Sequence, residues 1–139
     1  MNTGRILKTG LALGVVANAY DFVMNNYIIS SMMQAPFMND MKSVSVTWMV
    51  IGDFVGALVF VWFFDLVRGS FGAGAKGGAT YGFCAALLMN FPLWIFMHLF
   101  VKGFSYALAW EWTCLGLLWG VIGGAVAGIV YDKTGPATA

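Results

Sequence analysis

Charged side chains are scarce here: seven Lys and Arg with six Asp and Glu make 9% of 139 residues, where a soluble domain carries about a quarter. So few charges cannot coat a water-facing surface. Their balance, a net +1, supplies neither the basic face that nucleic acid requires nor an acidic tail, and no nucleic-acid partner is expected. Histidine occurs once, at His98, too few for a bis-histidine haem within one chain. The two cysteines, Cys84 and Cys114, fall in different apolar segments at depths about 15 Å apart, whereas a disulfide needs Cα atoms within about 7 Å. Both read as buried thiols behaving as small hydrophobes. A serine, histidine and acid set, a P-loop and an H-E-x-x-H sequence are missing too. The chain is therefore expected not to be an enzyme and to need no cofactor.

Apolar side chains fill the space instead, at 60% of the chain. A hydrocarbon core of about 30 Å is crossed by about 20 helical residues, and four runs reach that length, near 9–31, 45–67, 78–100 and 107–130. Arg5 and Lys8 precede the first, and Asn39, Asp40 and Lys42 follow it. Arg68 to Lys76 separate the second from the third, and Lys102 with Gly103 separates the third from the fourth. Backbone amides in lipid must find partners within their own segment, so such runs are helices. The expected fold is all-α: an integral membrane four-helix bundle, one membrane domain over residues 1–139, surrounded by the lipid bilayer. Arg5, Lys8, Arg68, Lys76 and Lys133 lie on one side of it and only Lys42 and Lys102 on the other. That bias predicts both termini in the cytoplasm. Arg5, Lys8, the run Leu11 to Val16 and the triplet Ala17, Asn18, Ala19 imitate a cleavable signal peptide. The same residues open a run long enough to span, and we read them as the first helix.

Between the second and third runs, Gly72, Gly74 and Gly77 have a formal G-x-G-x-x-G spacing. That fingerprint binds a dinucleotide only between a strand and a helix of a βαβ unit. Joining two membrane helices, it reads as a flexible turn, with Arg68 and Lys76 tethered to anionic headgroups.

Glycine is patterned elsewhere. Gly116, Gly120, Gly124 and Gly128 recur every fourth residue in the last run, with Gly123 and Ala127 beside them, leaving one helix face almost bare backbone. Such a face lets another helix approach closely enough for dispersion and Cα–H···O contacts. Gly52 with Gly56, and Gly10 with Gly14, are shorter versions. Packing inside the bundle accounts for these faces; an oligomer or partner interface is the alternative.

Gly10, Gly14, Asn18, Asp21 and Asn25 share one face of the first helix. Counting about 1.5 Å per residue from the middle of each run puts Asp21 near the midplane, Asp53 within about 5 Å of it, and Asn90 at a similar depth. A carboxylate at the bilayer centre costs about 2.5–3.5 kcal/mol, and no Lys or Arg occurs at that level to pair with either acid. The five side chains Asn18, Asp21, Asn25, Asp53 and Asn90 are expected to form a buried polar cluster that ties helices together. An ion or proton path, or a buried ligand site, are the alternatives.

Nearer the outer face, His98 and Glu111 both fall about 12 Å from the midplane and are expected to pair across the Gly103 turn. Met32, Met33, Met38, Met41 and Met97 lie around them. Thioethers and imidazole suit Cu(I), yet the sequence offers no fixed ligand spacing; the methionines read as packing, and no metal site is expected. Trp48, Trp110, Trp112 and Tyr106 gather at the same boundary, where amphipathic rings favour headgroups. Phe60, Trp62, Phe63 and Phe64 crowd the second helix. Contact with lipid accounts for most of these; docking against a pigment, quinone or neighbouring subunit is the alternative.

The Gly, Asn, Asp and Asn face of the first helix, together with Phe71-Gly-Ala-Gly-Ala-Lys76, resembles a group of small bacterial four-helix inner-membrane proteins known mainly as uncharacterised. That group commonly has prolines where this chain has Ala73 and Ala75, and often Glu where it has Asp21. The resemblance implies an architecture and a bacterial inner-membrane location, and no reaction.

A chain that spends nearly all its residues on spans is expected to be a non-catalytic accessory or assembly subunit packing against other membrane helices, either in a homo-oligomer or in a membrane complex. The alternative is a small oligomeric proton- or cation-coupled transporter or channel using Asp21 and Asp53.

Overall fold

The computed structural model describes residues 2–28 and 45–134. Helix α1 runs Thr3–Val23 and continues as a π-helical turn, Met24–Ile28. Helix α2 is Val46–Val67, followed by a 3₁₀ turn, Arg68–Ser70. Helices α3 and α4 are Gly74–Phe100 and Tyr106–Lys133. Each of the four is long and apolar enough to cross a membrane. Lys42, the end of the first run at 29–31, and Met32, Met33, Met38 and Met41 lie outside the described residues.

The helices overrun the apolar segments that announce them, because caps rather than hydrophobicity end a helix. Helix α1 starts at Thr3, not near residue 9: the Asn2 side chain accepts the Arg5 amide at 3.2 Å, and Arg5 and Lys8 are good helix formers. Helix α4 starts where Ser105 Oγ accepts the Leu108 amide at 3.1 Å. In the turn before it, Gly103 adopts φ +88°, a conformation a side chain would oppose.

Packing is closest between α3 and α4. A Cβ on Gly124 would collide with the Gly78 carbonyl, one on Gly128 with the Gly74 carbonyl, and one on Gly120 with Ala86 and the Gly82 carbonyl. Backbone lies on backbone over two turns of each helix. The glycines of α4 thus meet a second row, Gly74, Gly78 and Gly82, within the same chain. Gly116, at the end of the face, is covered by the Asn90 side chain. Helices α1 and α2 pair by a different rule: Leu58 sits over Gly10 and Phe54 over Gly14. Among the described residues, nothing comes within 4 Å of a Cβ placed on Gly52 or Gly56, so none of them covers that face of α2.

The two helix pairs meet through large side chains. Tyr81 is 2% exposed, its ring centroid 4.8 Å from Phe60 and 5.0 Å from Phe64. Its hydroxyl donates to the Phe60 carbonyl at 2.8 Å. The aromatic crowd in α2 therefore divides: Phe64 is fully buried and Phe60 half-buried, while Trp62 and Phe63 face outward. Cys84 and Cys114 are exposed on the bundle exterior rather than buried, because the α3–α4 contact face is already filled by glycines.

At the α2–α3 end a charged network joins all four helices. The Asp132 carboxylate accepts from the Arg68 guanidinium and from the Gly74 amide, both at 2.5 Å. Tyr131 donates to Asp65, and the guanidiniums of Arg68 and Arg5 lie over its ring at 4.7 and 5.3 Å. Arg68 is therefore held by the chain itself. Helix α3 begins at Gly74 rather than near 78 because Asp132 satisfies its first amide, a favourable site for negative charge. The glycines Gly72 and Gly74, at φ +85° and +70°, serve this turn. Asp132→Ala is expected to lower stability by about 2 kcal/mol, since two donors lose one charged acceptor. Thermal unfolding in detergent, with Lys133→Ala as control, measures it.

Candidate functional site

The polar face of α1 forms as the spacing predicts, but its amides turn inward on their own helix. Asn18 Nδ2 donates to the Gly14 carbonyl at 2.9 Å, Asn25 Nδ2 to the Asp21 carbonyl at 2.7 Å, and Asn26 Nδ2 to the Phe22 carbonyl at 2.7 Å. An amide side chain that reaches back four residues competes with the backbone for that carbonyl. Two consecutive asparagines doing so coincide with the switch from α to π turns at Met24–Ile28. Asn90 behaves likewise, donating to the Ala86 carbonyl at 3.0 Å and accepting from Trp94 Nε1 at 3.2 Å. Asn18, Asn25 and Asn90 thus spend these hydrogen bonds within single helices and do not weave the interhelical network expected of them.

The acids do cross between helices. Asp21 of α1 and Asp53 of α2 lie within hydrogen-bonding reach of each other's carboxyl groups. All five polar residues are half-buried rather than buried, and three of them, Asp21, Asn25 and Asn90, line a space. That space is a cavity of about 320 Å³ to which every helix contributes. Tyr20, Asp21, Met24 and Asn25 come from α1 and Met49 from α2; Asn90 and Trp94 come from α3, and Trp112, Leu115, Gly116 and Trp119 from α4. Among the described residues, none of its lining is Lys, Arg or His.

Aromatic pairs brace this lining. Trp94 and Trp112 have centroids 5.0 Å apart, Tyr20 and Trp119 5.1 Å. The Tyr20 hydroxyl donates to the Leu115 carbonyl at 2.9 Å, fixing α1 against α4. Trp112, which the sequence groups with the boundary aromatics Trp48, Trp110 and Tyr106, is half-buried and belongs to the cavity; those three are exposed. One turn along α4 from Trp112, Gly116 accounts for the opening: with no side chain there, the Asn90 side chain covers the backbone.

No family model, curated protein or solved structure matches the chain. What the structure shows is a four-helix architecture.

His98 and Glu111 do not form a pair. The His98 Nδ1 lies 2.8 Å from the Phe104 carbonyl and its ring meets Tyr106 edge-on at 5.4 Å, while Glu111 is exposed. The Gly103 turn folds Phe104 back over the end of α3 and brings its carbonyl to His98. Among the described residues no three His, Cys, Asp or Glu gather as a metal site would require.

Proposed function

We propose that the chain is a small integral membrane protein, with both termini on the cytoplasmic side of a bacterial inner membrane, that couples proton or cation movement to Asp21 and Asp53. The observation that carries this reading is the adjacency of the two carboxyls, of which that of Asp21 lines the cavity. Two carboxyl groups can share a hydrogen bond only when one of them carries the proton. A cation entering beside Asp21 competes with that proton for the same negative charge. Such competition is the elementary step of coupled transport. The cost of keeping two ionisable groups in membrane segments argues for such a role, since one acid and one asparagine would tie α1 to α2 as well.

Asp21→Asn keeps hydrogen-bonding capacity and removes the titratable group. Wild type in liposomes is expected to show pH-driven or cation flux that the variant lacks, with folding unchanged. No flux in wild type would sink the proposal.

A second reading, a non-catalytic accessory subunit or a homo-oligomer, is favoured by Gly52 and Gly56, whose bare strip on α2 no described residue covers and another helix would fit. Absence of flux together with partner helices co-purifying in mild detergent would support it.

A further inference from the structure

We infer that the cavity binds a lipophilic organic cation of the quaternary-ammonium type, held by the Asp21 carboxylate and the rings of Tyr20, Trp94, Trp112 and Trp119. The inference rests on the reading above that Asp21 is the working acid, and names the class of cation it meets. At about 320 Å³ the space falls at the low end of the roughly 300–1,000 Å³ typical of ligand pockets, so the occupant is small. Its lining combines one acidic side chain with three tryptophans and a tyrosine, and includes no cationic residue. Aromatic faces attract cations through the ring quadrupole, tryptophan most strongly.

The same lining is poorly equipped for a bare metal ion. Calcium takes about six to eight oxygen ligands, whereas here the Asn90 Oδ1 is occupied by Trp94 Nε1. The Asn25 and Asn90 amide nitrogens are donors already turned to backbone carbonyls. Beyond the Asp21 carboxyl, the walls are mainly ring, thioether and aliphatic surface. An alkylammonium ion, whose charge is spread over carbon and whose hydration is weak, needs no oxygen shell. It needs one counter-charge and several polarisable faces, which is the set present. Met24 and Asn25 reach the lining because they stand three and four residues beyond Asp21, on the same helix face.

Isothermal titration calorimetry of the whole chain in lipid nanodiscs tests this with benzyltrimethylammonium and its neutral carbon isostere, neopentylbenzene. Saturable binding of the cation is expected, about tenfold or more tighter than the isostere. Asp21→Asn is expected to weaken it about tenfold or more. Trp112→Leu should weaken it about fivefold, and Trp112→Phe should restore much of the loss, which a merely structural effect of the indole would not do. Equal affinity for the neutral isostere, displacement by millimolar sodium or potassium, or indifference to Asp21→Asn would each overturn the inference. Binding without flux would leave the site standing and defeat the transport reading; flux in wild type without saturable binding would do the reverse.

Discussion

Gly124→Leu is expected to abolish the folded bundle. A Cβ at this position already meets the Gly78 carbonyl oxygen and the Gly82 Cα, and these are backbone atoms that cannot swing aside as a side-chain tip would. Overfilling a well-packed core costs about 1–3 kcal/mol when neighbours can shift, and here α3 would have to separate from α4 along its length. The yield of monodisperse protein should collapse. Gly56→Leu, at a position with nothing within 4 Å, is expected to leave yield and thermal unfolding unchanged, as is truncation of the exposed Leu118 to Ala. Similar outcomes at positions 124 and 56 would show that α3 does not lie on the glycine row of α4.

Tyr81→Ala comes next in size. Tyr81 fills the seam among Phe60, Phe64 and Phe71, with centroid distances of 4.8, 5.0 and 5.7 Å, and removing its ring opens a void there. Large-to-alanine changes at buried aromatic sites cost about 3–5 kcal/mol. In mixed micelles much of the water-transfer part of that cost is absent, which places the expectation near the lower figure, about 3 kcal/mol. Tyr81→Phe should cost about 1 kcal/mol, because it removes one hydrogen bond and keeps the packing. Reversible unfolding in mixed micelles separates the two; equal losses would assign the role to the hydroxyl instead of the ring.

Four spans are legible in the sequence because bilayer thickness sets a minimum run of apolar residues, and a water-soluble domain seldom has room to bury so long a run on every side. The bare face of α4 is legible for a similar reason, as four glycines at one spacing leave no side chain to obscure it. Its partner is equally visible, since Gly74, Gly78 and Gly82 repeat at the same interval, yet Gly74 and Gly77 also fit a nucleotide fingerprint that hides the row. The acids of the site can be placed by depth. Their surroundings cannot: which way Asn18, Asn25 and Asn90 turn depends on competition between a near backbone carbonyl and a distant helix, and the near one wins without any loop to close. The same proximity gives His98 to Phe104 and not to Glu111. Asp65, Tyr131 and Asp132 escape sequence reasoning because their partners lie more than fifty positions away. One signal is present, an acid close to each of two helix ends beside the basic turn at Arg68.

Among the described residues, each glycine covered by another helix is covered by the helix next to it in the chain: Gly10 and Gly14 beneath Leu58 and Phe54, and the facing glycine rows of α3 and α4. Translation therefore delivers the first pair before the second exists. Asp21 and Asp53 meet while Asn90, Trp94, Trp112 and Trp119 are still to be added by the ribosome, so the carboxyl pair belongs to a half-molecule and the cavity only to the finished one. During that interval α1 and α2 hold the two acids beside each other before the side chains that complete the cavity have been made.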